Sequence, residues 1–319
     1  MRRAVIAVVL ALAACCSGAS PKPSPSASGP FRLPAGVQQL KLDGTPIGIA
    51  VSGATAWVAL AGFNRVVPVG LGAQLRLGAP HPAGKTPLRV VVASDGVWAT
   101  SFGNGRLVRV SPSRRVIKAG DEPEGIVTTT DDALWVVDQS NGRVLRFAPG
   151  TRKLTGTADV GVEPRLLAAN GTGVVVSSFG DGTITAVDAH LQARTSKPLC
   201  TGAQGVAVKD DAVVVACTGS NEVVFADLAR LHVTGRIALH EPDALAYTAD
   251  GTLLVGEQRG PSVVAVHDGK VGCRVTVGVQ PDVSDANVGL APLPDGGAVL
   301  TSPDVDGFYR VSATALGTC

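Results

Sequence analysis

Short apolar runs separated by turn residues dominate the chain from residue 46 onward. The stretch EPEGIVTTTDDALWVVDQSNGRVLRFAPG, residues 122–150, holds three such runs, split by Asp131-Asp132 and by Ser140-Asn141-Gly142. Short runs rich in Val, Ile and aromatic residues predict β-strands, and the Asp- and Gly-rich breaks predict tight turns between them. No long stretch shows the helical period of about 3.6 residues. The pattern therefore predicts an all-β chain.

The same unit recurs with a period of about 40 residues. A proline precedes an apolar run in all repeats but one, in which alanine replaces it: Pro46, Pro87, Pro123, Pro164, Ala203, Pro242 and Pro281. A second marker keeps the same spacing in the following run: Trp57, Trp98, Trp135, Val175, Val214, Leu254 and Val299. A period near 40 with several short strands per repeat is typical of a β-propeller. The sequence therefore predicts a seven-bladed β-propeller over residues 36–319.

The last repeat lacks its own outer strand, because the chain ends soon after the run FYRV. The segment VQQLKLDGTP, residues 37–46, resembles the passages that lead from an outer strand to the next proline. We expect this N-terminal strand to complete blade seven. It would close the ring and remove an exposed sheet edge.

The motifs P-x-G-I, W-V and N-G-R-V-x-R resemble the repeats of YVTN/NHL-type propellers, including the virginiamycin B lyase-like family, over nearly all of residues 37–319. The resemblance implies the fold, which hosts enzymes and binding proteins alike. It also implies, for the lyases, a histidine after the proline of a late blade, a nearby glutamate and a metal. No repeat here has histidine in that slot, although Glu257 could take the place of the glutamate. This particular lyase activity is therefore not expected.

The N-terminus has the features of an export signal. Arg2 and Arg3 precede an apolar run that is too short to span a bilayer as a finished helix. The ending LAAC resembles a bacterial lipobox, which implies a lipoprotein signal peptide at residues 1–14 and a lipid on Cys15. The alternative is an ordinary signal peptide that leaves Cys15 or Cys16 free. Residues 15–35 are rich in Ser and Pro and predict a tether.

These features predict an exported protein at the outer face of the cytoplasmic membrane, attached to that membrane by lipid. The formal net charge of +2 gives no reason to propose nucleic acid as a partner. Aromatic residues make up only 4% of the chain, which argues against stacking platforms for sugars or bases. We expect a monomer.

Four cysteines follow Cys15 and Cys16, and an even number in an exported protein predicts disulfides. Cys200 and Cys217 both lie at the same edge of blade five, so a disulfide between them is geometrically reasonable. Cys273 and Cys319 would then pair by elimination. The alternative for Cys217 is a reactive thiol that faces the central channel.

The loops between blades and the loops after the second strands share one face of the ring, around the central channel. This face usually binds ligands in propellers, and the candidate binding residues lie on it. They occupy the slot after the proline or the end of the second strand. We expect ligand binding by Glu124, Asp138, Arg165, Gln204, Asp243, Glu257 and Asp282.

Blade seven has extra residues between its proline and its second strand, in QPDVSDAN, and they bring carboxylates to the same face. The loop after its second strand, SPDVDGF, adds two more. Carboxylates on loops are hard oxygen ligands that suit calcium or magnesium. The candidate metal ligands are Asp282, Asp285, Asp304 and Asp306. The alternative is a set of solvated acidic loops without an ion, since Asp is common in turns. No other cofactor is expected.

No G-x-S-x-G, H-E-x-x-H or phosphate-binding glycine motif occurs, and no catalytic residues are identified. We therefore expect a non-enzymatic binding platform for a protein or a small ligand. The alternative is a divalent-metal-dependent lyase or lactone hydrolase that uses acidic residues of blades six and seven, with Glu257 or Asp282 as the base. A third possibility is a ring that stabilises a larger assembly through its sides.

Overall fold

The computed structural model describes residues 31–279 and 287–317. The predicted signal peptide, Cys15 and most of the tether lie outside these residues. The described part is almost entirely β-strand, arranged as seven antiparallel sheets. In six of them the strands are consecutive in the chain, and the seventh combines three C-terminal strands with the N-terminal strand. Within it, no helix has the length and apolar character that crossing a membrane would require.

The first strand of the chain, β1 (Val37–Lys41), belongs to the last blade. Blade one contains β2 (Pro46–Ser52), β3 (Thr55–Leu60), β4 (Arg65–Leu71), β5 (Leu75–Leu77) and β6 (His81–Pro82), and blade two contains β7 (Pro87–Ala93), β8 (Gly96–Ser101), β9 (Arg106–Ser111) and β10 (Arg115–Lys118). Blade three contains β11 (Pro123–Thr128), β12 (Leu134–Asp138), β13 (Arg143–Phe147) and β14 (Leu154–Asp159), and blade four contains β15 (Pro164–Asn170), β16 (Gly173–Ser178), β17 (Thr183–Val187) and β18 (Ala193–Thr195).

Blade five contains β19 (Ala203–Lys209), β20 (Ala212–Cys217), β21 (Glu222–Asp227) and β22 (Val233–Ala238). Blade six contains β23 (Pro242–Tyr247), β24 (Leu253–Glu257), β25 (Ser262–His267) and β26 (Lys270–Thr276). Blade seven contains β27 (Gly289–Pro292), β28 (Ala298–Ser302) and β29 (Gly307–Val311), and the short helix α1 (Ala313–Gly317) follows it. The predicted seven-bladed propeller is confirmed. In blades one to six the first marker begins the first strand, and in all seven blades the second marker lies in the second strand. Pro281, the first marker of blade seven, lies outside the described residues.

The core lies between blades, as seven apolar clusters among the described residues. Strand β16 shows why the second strands read as continuous apolar runs. Val174 and Val176 pack into the cluster between blades three and four, whereas Val175 packs into the cluster between blades four and five. Since successive side chains of a strand point to opposite faces, a sheet buried on both faces needs apolar residues at every position.

The recurring P-x-G motif reflects the close approach of neighbouring first strands around the channel. A β-carbon added at Gly205 would lie 2.0 Å from the carbonyl oxygen of Asp243 in the next blade. The same addition at Gly125 would meet the Arg165 carbonyl at 2.7 Å. At these two positions only glycine leaves room for the contact. A β-carbon added at Gly289 would lie 1.9 Å from the Ile47 carbonyl oxygen, so Gly289 is the residue of blade seven that corresponds to Gly125 and Gly205.

The N-terminal strand closes the ring, as predicted. Strand β1 pairs antiparallel with β29, from Val37 opposite Val311 to Lys41 opposite Gly307, and forms the outer strand of blade seven. At the inner side, the Thr301 hydroxyl donates a hydrogen bond to the Ile47 carbonyl of blade one. Blades seven and one are therefore joined at both the outer and the inner strands.

The predicted sharing of one face by two sets of loops is confirmed by hydrogen bonds between them. In blade three the Gln139 amide donates to the Glu122 carbonyl at 3.0 Å, and in blade four the Phe179 amide donates to the Glu163 carbonyl at 2.9 Å. Both bonds join the loop after the second strand to the loop that enters the same blade. We call this side of the ring the loop face.

Candidate functional site

Four of the predicted binding residues come together at the loop-face ends of the first strands. Glu124, Gln204 and Asp243 are buried, with exposed fractions of 1%, 2% and 0%. The side chain of Arg165 is 27% exposed, and its Nη1 lies 3.7 Å from Glu124 Oε2. The slot after the proline thus brings charged and polar side chains of four neighbouring blades to the centre of the ring.

Arg89 is a central residue that the sequence analysis did not identify. It occupies in blade two the slot that glycine fills in blades one, three, five and seven. Its Nη2 lies 4.0 Å from Glu124 Oε1, and its Nη1 donates to the Val288 carbonyl of blade seven at 3.5 Å. Arg89 also lines the central cavity of about 140 Å³. The arginine at a repeat position that is usually glycine was the feature of the sequence that could have identified Arg89 as a central residue.

Val288 takes the ring position in blade seven. It directly precedes Gly289, as Glu124 directly precedes Gly125. Its backbone amide donates to Asp243 Oδ2 at 2.5 Å. Counting from Pro281 placed Asp282 at this position, and Asp282 lies outside the described residues. The position next to Arg89 and Asp243 is therefore filled by an apolar residue that offers its backbone groups.

Burial changes the acid–base behaviour of both central carboxyls. Desolvation raises the pKa of Glu124 to about 7, although the nearby Arg89 and Arg165 oppose that rise. Desolvation also raises the pKa of Asp243 to about 6, against the effects of Arg89 and of the Val288 amide. Removing a carboxylate from water disfavours its charged form. The centre of the ring therefore holds two acids that titrate near neutral pH.

Asp138 and Glu257, at the ends of second strands, bind the loops that enter their own blades. Asp138 Oδ1 accepts hydrogen bonds from the amides of Asp121 and Glu122, at 3.0 and 3.2 Å. Glu257 Oε1 accepts from the His240 amide at 3.1 Å and from Arg274 at 2.8 Å. These contacts hold the loop face in place. Ligand binding by either carboxylate stays a prediction.

In blade five a disulfide occupies this same position. Cys217 ends β20 and is bonded to Cys200 in the loop that enters the blade, with 6.0 Å between their Cα atoms. The predicted pairing is confirmed, and the alternative of a free Cys217 thiol is wrong because the sulfur is bonded. Cys319 lies outside the described residues, so the pairing of Cys273 with Cys319 stays a prediction.

The metal prediction has no assembled ligand set within the described residues. No group of three or more His, Cys, Asp or Glu side chains there is arranged to hold an ion. Asp304 lies in a short 3-10 helix, Pro303–Val305, and Asp306 follows it in a left-handed conformation. Asp282 and Asp285 lie outside the described residues. The residues present do not by themselves fit a calcium or magnesium site.

A cleft of about 460 Å³ opens on the loop face above blades four, five and six. Its lining includes Arg165, Phe179, Gln204, Gln258 and Arg259. The Arg165 guanidinium lies 4.9 Å from the centre of the Phe179 ring, which is a cation–π distance. Gln204 Nε2 is buried and has no hydrogen-bond partner among the described residues. The cleft is therefore lined by a polar side chain whose hydrogen bond is not made within residues 31–279 and 287–317.

Comparison with known proteins supports the architecture. No protein-family model matches the sequence, and no curated protein matches it. Among solved structures, a virginiamycin B lyase from Staphylococcus aureus superposes with a TM-score of 0.74 at 16% identity, covering 86% of this chain and 98% of that one. A streptogramin B lyase gives 0.72 at 13% identity, covering 86% and 96%. The WD40 propeller domain of Doa1 gives 0.72 at 10% identity, with the same two coverages.

At identities this low, structural similarity shows the fold and not the activity. The three structures carry different names, a lyase in two cases and a WD40 domain in the third, yet all superpose over most of their length. The chain is a seven-bladed β-propeller that is structurally similar to the virginiamycin B lyase-like propellers.

Proposed function

We propose that this chain is an exported, lipid-anchored protein whose loop face binds a ligand without transforming it. The observation that carries the proposal is the cleft over Gln204. A carboxamide that is 2% exposed has an Nε2 without a hydrogen-bond partner in the part of the chain that the structure describes, and the residue lines a space of about 460 Å³. A buried polar group that lacks a hydrogen bond is costly, by about 1–3 kcal/mol. A ligand that accepts this hydrogen bond would recover that cost.

The size of the cleft favours a small ligand over a protein partner. Pockets for small molecules are commonly about 300–1,000 Å³, with a few polar groups that fix the orientation of the ligand. This cleft has that size, and Arg165, Gln204 and Phe179 line it. We infer that a small molecule, or a single side chain or terminus of a larger partner, fills it.

Binding without chemistry is favoured by the surroundings of the central acids. Glu124 lies between Arg89 and Arg165, and Asp243 accepts a hydrogen bond from the Val288 amide. Neither carboxyl lines the cleft. A general base must reach the proton that it removes, within about 3 Å or through one water. These acids shape the charge of the site and do not line the space that we assign to the ligand.

One observation favours the enzymatic alternative. The pKa of Glu124, raised by burial to about 7, is a value suited to a general base near neutral pH. A ligand group or a water reaching past Arg165 would be needed to use it. Turnover by the purified protein of any molecule that it binds would favour this alternative over the binding platform.

The binding proposal is tested by measuring the binding of small anionic, neutral and cationic aromatic molecules to the full-length protein. Ligand-observed NMR is the measurement. We expect at least one to bind and to lose affinity in Gln204→Leu. The matched control is Gln192→Leu, since Gln192 is an exposed residue in the turn between β17 and β18. No binding by any member of the panel, or equal binding by both variants, would contradict the proposal.

The proposal of a lipid anchor is based on Arg2, Arg3 and the LAAC sequence. We expect the wild-type protein to partition into detergent with the membrane fraction, and to incorporate labelled fatty acid. Cys15→Ser should abolish the labelling, whereas Cys16→Ser should not affect it. Labelling that survives Cys15→Ser would overturn the assignment of the lipid to this residue.

A further inference from the structure

We propose that the cleft over blades four to six binds a carboxylate group of its ligand, held between the guanidinium of Arg165 and the carboxamide of Gln204. The inference rests on the proposed function and names the chemistry of the group that this site recognises. It depends on the hydrogen-bond donors that the cleft presents and on the partners that its acidic residues already have.

Arg165 is held in place by contacts other than hydrogen bonds. Its guanidinium lies over the Phe179 ring, 3.7 Å from Glu124 Oε2 and 4.0 Å from Glu163 Oε2. It donates no hydrogen bond to any described residue, and its buried Nε is among the groups without a partner. An arginine carries five N–H donors in a planar fork. Arg165 is therefore positioned, and no described residue accepts a hydrogen bond from its terminal nitrogens.

Gln204 places a second donor at the same cleft. The backbone carbonyl of Gln204 accepts a hydrogen bond from the Ser177 hydroxyl at 2.6 Å, which fixes the strand from which the side chain extends. The preceding residue, Ala203, is fully buried. The side chain of Gln204 is thus attached to an immobile part of the ring. A buried amide donor next to an arginine fork suits a planar, two-oxygen acceptor.

The acidic and polar neighbours are already engaged. Glu241 Oε1 forms an ion pair with Arg259 at 3.2 Å, and the Thr218 hydroxyl donates to the Pro242 carbonyl at 2.6 Å. Gln258 Nε2 donates to Asn287 Oδ1 at 3.0 Å. The cleft therefore offers unused donors from Arg165 and Gln204, while its carboxylate at Glu241 is paired. A ligand carboxylate satisfies both donors, and a cationic ligand would leave them unpaired.

Carboxylate recognition is preferred over recognition of a larger oxyanion because of the number of donors. Arg165 offers a bidentate face and Gln204 offers one further N–H. A carboxylate has two oxygens and about four acceptor sites, and so fits this set. A phosphate carries more charge, and it would meet the nearby carboxylates of Glu163 and Glu241, while the other cation of the cleft, Arg259, is already paired with Glu241.

The test uses benzoate, benzamide, benzylammonium and phenyl phosphate with the full-length protein, because these probes share one ring and differ in the polar group. Binding is measured by saturation-transfer NMR and by calorimetry. We expect benzoate to bind at least tenfold more tightly than benzamide. Gln204→Leu should weaken benzoate about tenfold, and Arg165→Lys, which keeps the charge and loses the fork, should weaken it severalfold. Gln192→Leu should leave it unchanged.

The outcomes separate this inference from the proposed function. Binding of benzamide or benzylammonium as tight as that of benzoate, with loss in Gln204→Leu, would overturn carboxylate recognition and leave the binding platform intact. Tighter binding of phenyl phosphate would do the same. Absence of binding by all four probes would count against both. Near-UV circular dichroism of each variant, compared with wild type, shows whether a loss comes from misfolding, and Arg165→Lys supplies the second variant if Gln204→Leu does not fold.

Discussion

Arg89 and Glu124 extend from neighbouring first strands into the same buried space, with 4.0 Å between Nη2 and Oε1. The distance is that of an ion pair without a direct hydrogen bond. Arg165 approaches the other oxygen of Glu124 from the opposite side, at 3.7 Å. One carboxyl thus lies between two cations, yet burial dominates and raises its pKa to about 7. The centre of the ring is therefore sensitive to pH.

The first prediction concerns Glu124→Gln and the pH dependence of stability. The pKa of Glu124 is raised from 4.5 to about 7 on folding, so the folded state binds the proton more tightly. The stability that this proton contributes is fully present below pH 4.5 and is lost as the pH rises through 7. Since one pKa unit corresponds to about 1.4 kcal/mol, wild type should lose roughly 3 kcal/mol relative to the glutamine variant between pH 4 and pH 8.

The measurement is urea unfolding of both proteins at several pH values. Arg89, Arg165, Asp243 and Glu122 are the charged groups that influence this carboxyl, and all are retained in the variant. Asp243→Asn should behave in the same direction over a lower window, because the pKa of Asp243 rises from 3.8 to about 6. A constant difference between wild type and Glu124→Gln across the pH range would contradict the prediction.

The sequence predicted the ring better than its centre, and the reason is physical. Strand periodicity and turn residues recur in every blade, so the fold, the closure by β1 and the Cys200–Cys217 pair could be inferred from position alone. The central contacts depend on which side chain reaches across the channel. Arg89 lies one position after the predicted slot, and its reach to Val288 of blade seven joins residues far apart in sequence. Periodicity within a repeat carries no information about such a contact.

The end of the second strand shows a different limit. Spacing correctly placed Asp138 at the loop face, but burial decided its partners. A carboxylate that is 0% exposed must accept hydrogen bonds nearby, and the amides of Asp121 and Glu122 are within reach. A sequence pattern gives the edge of the sheet on which a residue lies. It does not distinguish a side chain that faces a ligand from one that holds a loop.

The second prediction concerns the contact between first strands. Gly205→Ala would place a β-carbon 2.0 Å from the Asp243 carbonyl oxygen, and backbone on both sides would have to move. We expect a loss of about 1–3 kcal/mol of stability or more, as for other overpacked cores. Gly235→Ala in the same blade is the matched control, because its nearest contact is 3.8 Å and its cost should be small. Equal unfolding midpoints for the two variants would show that the first strands can separate.

The third prediction concerns the disulfide of blade five. Replacing both Cys200 and Cys217 by serine removes a bond that spans 17 residues, which in the chain-entropy model stabilises the fold by about 3 kcal/mol. The double variant should unfold at a lower denaturant concentration by a corresponding amount. Thr218 and Gly219 directly follow Cys217 and line the cleft. The double variant should therefore also bind benzoate more weakly than wild type does. Unchanged affinity with reduced stability would show that the disulfide does not organise the cleft.

The fourth prediction separates the binding platform from the metal-dependent alternative. A bound calcium or magnesium ion stabilises the folded state by about 2.7 kcal/mol at a hundredfold excess over its dissociation constant. The alternative therefore requires that EDTA lower the thermal midpoint of the full-length protein and that one of these ions restore it. It also requires that Asp282→Asn or Asp285→Asn abolish the shift. Asp268→Asn, in the turn between β25 and β26, is the matched control.

The described residues supply no ligand set at Asp304 and Asp306, so the binding platform predicts equal thermal midpoints with and without either ion. A shift that persists in both the Asp282 and the Asp285 variants would place the ion elsewhere in the chain and would overturn the blade-seven site.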